Sequence, residues 1–156
     1  MLRLLGAALV ALAVAGAPHA QPGSAAANDM QALRAAVKSD KHALVASTLA
    51  LSDKEAKKFW PVYENYQRSL DTLGRVRAVS AEALLNNDHS VSNLEAKEVA
   101  LRNMQADEAE MRARRKMFNA VMRALPAAKA ARYVQLEAKI RAVQAYDIAQ
   151  AFPLIH

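Results

Sequence analysis

The scarcity of glycine and proline constrains this sequence more than any other feature. After residue 23 the only glycine is Gly74, and the only prolines are Pro61, Pro126 and Pro153. Tight turns depend on these two residue types, so folds built from many short strands and hairpins are disfavoured. The chain has 36 alanines but only three isoleucines and two threonines, a balance that favours helix over sheet. The sequence therefore predicts an all-α fold of long helices.

Residues 1–20 have the pattern of a secretory signal peptide. Arg3 provides a positive start, Leu4–Ala17 is an uncharged apolar run, and Ala20 is a small residue suited to cleavage. The apolar run is shorter than the roughly 20 residues that span a bilayer, so an uncleaved anchor is the less favoured alternative. Cleavage after Ala27 is a second option, because that residue ends a run of three alanines.

The remainder of the chain is predicted to be one exported domain. Residues 21–28 are small and polar and are expected to form a flexible lead-in, and residues 29–156 form the single helical domain. The chain contains no cysteine, which excludes disulfides, thiolate metal sites, cysteine nucleophiles and lipid-modified cysteines. An exported chain without a lipid-attachment cysteine is expected in the bacterial periplasm or the medium, and we predict the periplasm. Helix packing alone must then stabilise the fold.

Apolar spacing and helix-start signals divide the domain into about four helices. We predict helices over residues 29–48, 53–86 and 92–125, and a fourth that begins at Pro126. Two of the four are long, which predicts an elongated antiparallel helical hairpin or bundle. Each long helix is preceded by a capping box, in which a serine at the helix start and a glutamate three residues later bond each other's backbone. The two boxes are Ser52 with Glu55 and Ser92 with Glu95.

The second helix has an apolar seam that is expected to change course twice. Pro61 removes a backbone donor and disfavours the helical conformation at Trp60, so a kink is expected there. After Gly74 the apolar positions shift to Val76 and Val79, which predicts a bend. Before these positions the seam alternates steps of four and three residues through Phe59, Tyr63, Tyr66, Leu70 and Leu73.

The third helix carries the candidate binding residues for a client or partner protein. Met104, Met111 and Phe118 recur at seven-residue steps with Met122 beside them, in a region that is otherwise strongly charged. Methionine is flexible and polarizable and suits surfaces that repack against varied apolar partners. The alternative is that the stripe forms the bundle core, which we expect for Met104 and Met111. Met117 lies off this seam and is expected at the surface.

Basic residues in the same helix are further candidates for binding a client or partner: Arg112, Arg114, Arg115 and Lys116. Glu108 and Glu110 precede Arg112 and Arg114 by four residues, an order that stabilises a solvated helix face by about 0.2–0.5 kcal/mol per pair. We therefore predict no nucleic-acid binding from this run. The net charge falls from +6 to +5 when Arg3 leaves with the leader. This charge can attract acidic proteins or allow peripheral contact with anionic membranes.

Neither a metal site nor a catalytic site is predicted. Outside the leader the only histidines are His42, His89 and His156, and no two of them stand four residues apart. The chain has no glycine-rich phosphate loop and no GxSxG motif. We therefore predict a protein without metal, cofactor or enzymatic activity that binds other proteins, with a homodimer among its arrangements.

Residues 51–63 read Leu-Ser-Asp-Lys-Glu-Ala-Lys-Lys-Phe-Trp-Pro-Val-Tyr. With Tyr66, Tyr146-Asp147 and the final Pro153-Leu154-Ile155, this stretch resembles a group of exported helical proteins of Gram-negative bacteria that share an FWPxY motif. The resemblance covers roughly residues 30–155. Its motif residues are expected to be structural, with the aromatic side chains mostly in the core. They are Leu51, Ser52, Glu55, Phe59, Trp60, Pro61, Tyr63, Leu125 and Pro126.

A wider resemblance is to the Spy/CpxP periplasmic proteins, which include stress chaperones and metal-responsive sensors. These proteins carry two Leu-Thr-x-x-Gln motifs at helix starts, and the counterparts here are Leu51-Ser52-x-x-Glu55 and Leu125-Pro126-x-x-Lys129. The resemblance implies an antiparallel helical dimer with a concave, basic and partly apolar client surface. It also implies a non-catalytic chaperone that holds unfolded or stress-exposed envelope proteins. A sensor that docks on a membrane signalling partner is the alternative.

Overall fold

The structure is a computed structural model that describes residues 29–85, 91–151 and 154. These residues form four helices, α1 (Met30–Leu49), α2 (Asp53–Leu85), α3 (Asn93–Ala124) and α4 (Ala127–Ala151), and contain no strand. The predicted all-α fold with two long helices is confirmed. The predicted leader, the lead-in and the segment 86–90 lie outside the described residues, as do His89 and His156.

Polar side chains begin the helices where the sequence predicted. Asp29 caps α1, accepting hydrogen bonds from the backbone N–H groups of Gln31 at 2.8 Å and Ala32 at 3.0 Å. Both predicted capping boxes are present. The backbone N–H of Ser52 donates to the carboxylate of Glu55 at 2.8 Å, and Ser92 donates to Glu95 at 2.9 Å in the same way. These bonds satisfy backbone donors that a helix start leaves without partners.

The described helices contain one break that the sequence did not predict. α2 continues through both Pro61 and Gly74. Pro61 and Lys57, whose carbonyl loses its usual donor, are both exposed, so water can bond that carbonyl. The break lies instead in α1 at Asp40, with φ −157° and ψ 94°. The Asp40 carboxylate accepts a hydrogen bond from the backbone N–H of Ala43 at 2.9 Å, and so restarts the helix in the manner of an N-cap.

The helices run alternately up and down. Arg77 of α2 pairs with Asp107 of α3 at 2.7 Å, so the two long helices form an antiparallel hairpin. Arg34 near the start of α1 pairs with Asp147 near the end of α4, which makes those two helices antiparallel as well. At 1.5 Å per residue, α2 and α3 are about 50 Å long whereas α1 is about 30 Å, so the hairpin outruns α1.

The core lies where all four helices meet. It contains Leu33, Leu44 and Leu49 of α1, whereas Met30 at the start of that helix is exposed. The apolar seam of α4 is buried throughout: Tyr133, Leu136, Ile140 and Val143. In α2 the predicted seam is buried at Phe59, Tyr63 and Tyr66.

The far part of α2 departs from the predicted seam. Val76 and Val79, which were expected to continue it after Gly74, are exposed. Ser80 is buried in their place, and its hydroxyl donates to the carbonyl of Val76 at 3.1 Å. A hydroxyl that bonds its own helix can be buried at little cost, because its donor is satisfied. The small Ser80 therefore suits the side of α2 that is buried.

Candidate protein-binding surface

α3 carries two apolar seams on different sides. The inner seam consists of Val99, Ala106, Ala113 and Ala120 at seven-residue steps, and each of these residues is buried or half-buried. Small side chains let the backbones of two helices approach closely. The side of α3 that packs in the long hairpin therefore consists largely of alanines.

The outer seam of α3 is exposed to solvent. Its large apolar side chains are between 42% and 67% exposed, and we call them the outer stripe: Leu94, Leu101, Met104, Met111, Phe118 and Met122. The stripe runs about 42 Å along the helix at a rise of 1.5 Å per residue. The expectation that Met104 and Met111 form the core is wrong. The structure instead places them, with Phe118 and Met122, on the surface that the sequence proposed for a client or partner.

Met117 was also predicted as a binding residue, but it does not lie on this surface. It is 5% exposed and packs in the core with Val121 and Leu125. Its predicted exposure is wrong because the side of α3 opposite the outer stripe is itself apolar. A residue that lies off one seam of this helix can therefore lie on the other.

Replacing Met117 and Met111 separately by alanine should give very different losses of stability. Met117→Ala is expected to lower the free energy of unfolding by about 2–5 kcal/mol, because it leaves a cavity in the core. Met111→Ala, on the outer stripe, should change it by no more than about 0.5 kcal/mol. Urea denaturation of the two variants measures both values. Equal losses would show that this assignment of faces is wrong.

The basic run flanks the outer stripe. Arg112, Arg115 and Lys116 are exposed, whereas Arg114 is half-buried and lines a groove of about 460 Å³ that α3 forms with α4. Arg112 pairs with Glu108 at 3.6 Å, as the four-residue spacing predicted. Both groups are well exposed, so this pair contributes little to stability. The accessible apolar side chains are thus bordered by positive charge.

The two predicted motif segments, at the starts of α2 and α4, meet beside the turn between α1 and α2. Lys129 in the first turn of α4 donates hydrogen bonds to the Glu55 carboxylate at 2.7 Å and to the carbonyl of Ala50 at 2.9 Å. The bond from Lys129, aided by that from Ser52, lowers the pKa of Glu55 to about 2. Ala50 has a positive φ of 44°, and the Lys129 bond helps to hold this turn between α1 and α2. Local spacing predicted each segment but not the contact between them.

The aromatic side chains of the motif lie in the core or at its edge. The rings of Phe59 and Tyr133 meet edge to face with centroids 4.9 Å apart. Trp60 is half-buried and stacks on His42 of α1 at 3.8 Å. This places Trp60 at the boundary between α1 and α2.

Buried ion pairs join α2, α3 and α4. Glu110 of α3 accepts a hydrogen bond from Arg77 of α2 at 2.9 Å and also pairs with Arg141 of α4. Sequence reasoning had placed Glu110 on a solvated face with Arg114, and this is wrong. Glu110 lies four residues after Ala106 and three before Ala113, so the inner seam already contained the signal for its burial.

Glu137 of α4 is a second buried carboxylate, 1% exposed, although it stands four residues before Arg141, the spacing of a solvated pair. One of its oxygens is 3.5 Å from the Tyr133 hydroxyl, which donates to it. Burial raises the pKa of Glu137 to about 7, against the opposing effect of positive charges on Lys41, Arg141 and Arg114. The core encloses this carboxyl group.

Glu137 should make stability depend on pH. Its pKa in the folded protein, about 7, exceeds the roughly 4.3 of an unfolded chain, so the folded state binds the proton more tightly. The stabilisation is complete below about pH 4 and is lost as pH rises through 7. We expect the free energy of unfolding to fall by up to about 3 kcal/mol between pH 5 and 8. In Glu137→Gln this fall should largely disappear. Denaturation curves at several pH values test this, and parallel profiles for the two proteins would contradict it.

Within residues 29–85 and 91–151, no three His, Asp or Glu side chains converge in a way that could hold a metal ion. None of the helices in the part of the chain that the structure describes is both long and apolar enough to cross a membrane. Comparison of the chain with protein-family models gives no match. Comparison with curated proteins and with solved structures gives no significant match either. The arrangement of the described side chains is therefore the basis for a functional assignment.

Proposed function

We propose that this chain is a non-catalytic, exported binding protein that holds partly unfolded proteins, as a Spy/CpxP-like chaperone does. The observation that carries the proposal is the outer stripe of α3. Large exposed apolar surfaces on soluble proteins usually mark sites that bind something. Six large side chains remain accessible here although the same helix has a separate inner seam that packs the bundle.

The chemistry of the outer stripe suits varied clients. Three of its six side chains are methionines, whose flexible thioethers adapt to different apolar partners. The exposed Arg112, Arg115 and Lys116 beside it provide long-range attraction for acidic segments of unfolded chains. Attraction of this kind weakens as salt screens the charges, so holding should be strongest at low ionic strength.

Light scattering of an aggregating model client tests the proposal. The mature chain at a few-fold molar excess and low salt should suppress the scattering. A Met104→Ser/Met111→Ser variant should lose most of that suppression, because it removes the centre of the outer stripe. Met30→Ser is the matched control, since Met30 is exposed on α1, away from the stripe, and this variant should behave as the unmodified chain does.

Two results would count against a chaperone role. Absence of suppression at low salt would reject it. Crosslinking in intact cells that recovers one stoichiometric membrane partner, in place of many weak clients, would favour the sensor alternative.

A further inference from the structure

The groove between α3 and the second half of α4 has the size of a small-molecule site. Its volume is about 460 Å³, and such sites usually measure about 300–1,000 Å³. On both helices the lining residues recur at steps of three and four, so each helix presents one face to the groove, and α2 adds Arg77. Met111, Ala145 and Ala149 in its wall are exposed, so the groove is open to solvent.

Four of the five charged side chains that line the groove neutralise one another. Arg77 donates to Asp107 at 2.7 Å and to one oxygen of Glu110 at 2.9 Å. Arg141 pairs with the other oxygen of Glu110. The two positive and two negative charges balance, and both oxygens of Glu110 are in use. These four groups therefore need no ligand ion.

Arg114 is the fifth charged side chain of the groove, and it has no carboxylate partner. It is half-buried, and none of the ion pairs within the described residues includes it. Its charge acts on Glu137, but that carboxyl group is enclosed in the core. A guanidinium binds a planar carboxylate through two parallel hydrogen bonds. Arg114 thus offers the groove one place for one negatively charged group.

The remaining wall of the groove is apolar and suits a hydrocarbon chain. It consists of Met111 of α3 with Ala145, Ile148 and Ala149 of α4. None of these side chains can pair with the backbone N–H and C=O groups that a bound peptide would bury, and unpaired buried polar groups are costly. An unbranched hydrocarbon chain has no polar groups, so its burial here is favourable throughout.

The acidic side chains of the groove limit the charge of the ligand. Asp107 and Glu110 line the same groove as Arg114, and Glu110 stands one helical turn before it. A doubly charged head group, such as a phosphate monoester, would be repelled by both carboxylates. A single carboxylate is matched by the one unpaired guanidinium.

We propose that this groove binds a monocarboxylate with a long unbranched hydrocarbon chain, the chemistry of a fatty acid. Its carboxylate binds Arg114, and its chain lies along Met111, Ile148 and the two alanines of α4. Met111 is the one residue that the groove shares with the outer stripe. The proposal does not rest on the function proposed above.

Titration calorimetry with decanoate, kept below its micelle concentration, tests the head-group contact. The mature chain should bind one equivalent, and Arg114→Gln should weaken binding by about tenfold, because it removes the charge-assisted pair of hydrogen bonds. Decyltrimethylammonium, with the same chain and the opposite charge, should bind at least about tenfold more weakly than decanoate. Absence of decanoate binding, or equal affinity for the two compounds, would overturn the proposal.

Arg115→Gln is the matched control, because it removes the same charge from the next residue. Arg115 is exposed and is not part of the groove lining. This variant should bind decanoate as the unmodified chain does. Equal weakening in the Arg114 and Arg115 variants would show that only the net charge attracts the ligand, and so overturn the site.

Ala149→Glu provides a second test that does not alter a half-buried residue. Ala149 is exposed on α4, and glutamate is a good helix former, so the variant should fold, which urea denaturation checks. The new carboxylate fills the groove and repels decanoate, so binding should weaken by about tenfold or more. Unchanged affinity in this variant would place the ligand elsewhere and contradict the proposal.

Methyl NMR separates binding in the groove from binding on the outer stripe. Decanoate should shift the signal of Met111, which lines the groove, and leave Met104 and Met122 in place. Comparable shifts of all three methionines would show that the hydrocarbon chain lies along the outer stripe, and no shift of Met111 would remove the chain from the groove. Either result would overturn the proposed site.

Discussion

Replacing Tyr133 by alanine is expected to lower the free energy of unfolding by about 3–5 kcal/mol, the usual range for deleting a buried aromatic ring. Tyr133 is fully buried, its ring packs edge to face on Phe59, and its hydroxyl donates to Glu137 at 3.5 Å. The alanine variant loses the ring contacts and leaves the buried carboxyl group with one donor fewer. Urea denaturation should show the change as a lower midpoint.

Tyr146→Ala on the same helix is the matched control. Tyr146 is exposed: the Arg34 guanidinium lies 5.5 Å above its ring, and the Gln150 amide donates a hydrogen bond to its hydroxyl at 3.0 Å. A guanidinium–ring contact at an exposed site is worth about 0.5–1 kcal/mol. If Tyr133→Ala and Tyr146→Ala lowered the free energy of unfolding by similar amounts, Tyr133 would not be part of a packed core.

Replacing Glu110 by alanine should lower the free energy of unfolding by a comparable amount. The cause here is the loss of buried ion pairs, whereas for Tyr133 it is the loss of packing contacts. The variant removes the carboxylate that Arg77 and Arg141 share, and their side chains are only 13% and 16% exposed. Arg77 keeps its pair with Asp107 at 2.7 Å, so Arg141 is the buried charge that loses its carboxylate. Removing one member of a buried ion pair typically costs about 3–5 kcal/mol, because the remaining charge stays buried without compensation. We therefore expect Glu110→Ala to weaken the attachment of α4 to the long hairpin, measured as a loss of thermal and urea stability.

Glu108→Ala two residues earlier provides the comparison. Glu108 is exposed and pairs only with the exposed Arg112 at 3.6 Å among the described ion pairs. Its removal should change stability by no more than about 0.5 kcal/mol. If both variants lost the same small amount, the ion pairs around Glu110 would be solvated and the described burial would be wrong.

The helix boundaries could be predicted because the signals are local. A serine and a glutamate three residues apart specify a helix start within a single turn, and both boxes form where the sequence placed them. Pro126 similarly separates α3 from α4 within two residues. The contact between Lys129 and Glu55 could not be read in this way, because it joins residues 74 positions apart.

The direction in which α3 faces was not predictable from its strongest apolar repeat. Leu, Met and Phe at seven-residue steps form the more hydrophobic seam, and a seam of that kind usually packs inside. The seam that packs inside is the alanine series at residues 106, 113 and 120, which hydrophobicity alone ranks lower. Alanine is so common in this chain that its repeat has little contrast with the background.

The burial of two charged residues could not be predicted for a related reason. Glu110 and Glu137 each stand four residues before an arginine, the spacing of a solvated pair. Glu110 instead bonds Arg77 and Arg141 on other helices, and Glu137 is enclosed by the core. Spacing within one helix cannot show which neighbouring helix approaches it. The position of Glu110, four residues after Ala106 and three before Ala113, would have identified it as buried.

Methyl NMR of the methionines tests most directly whether the outer stripe binds proteins. Titrating an unfolded client into the mature chain should shift or broaden the signals of Met104, Met111 and Met122. Met117 in the core and Met30 on α1 are internal references, and their signals should stay in place. Suppression of client aggregation with no change at the three stripe methionines, or with the main change at Met30, would contradict the account.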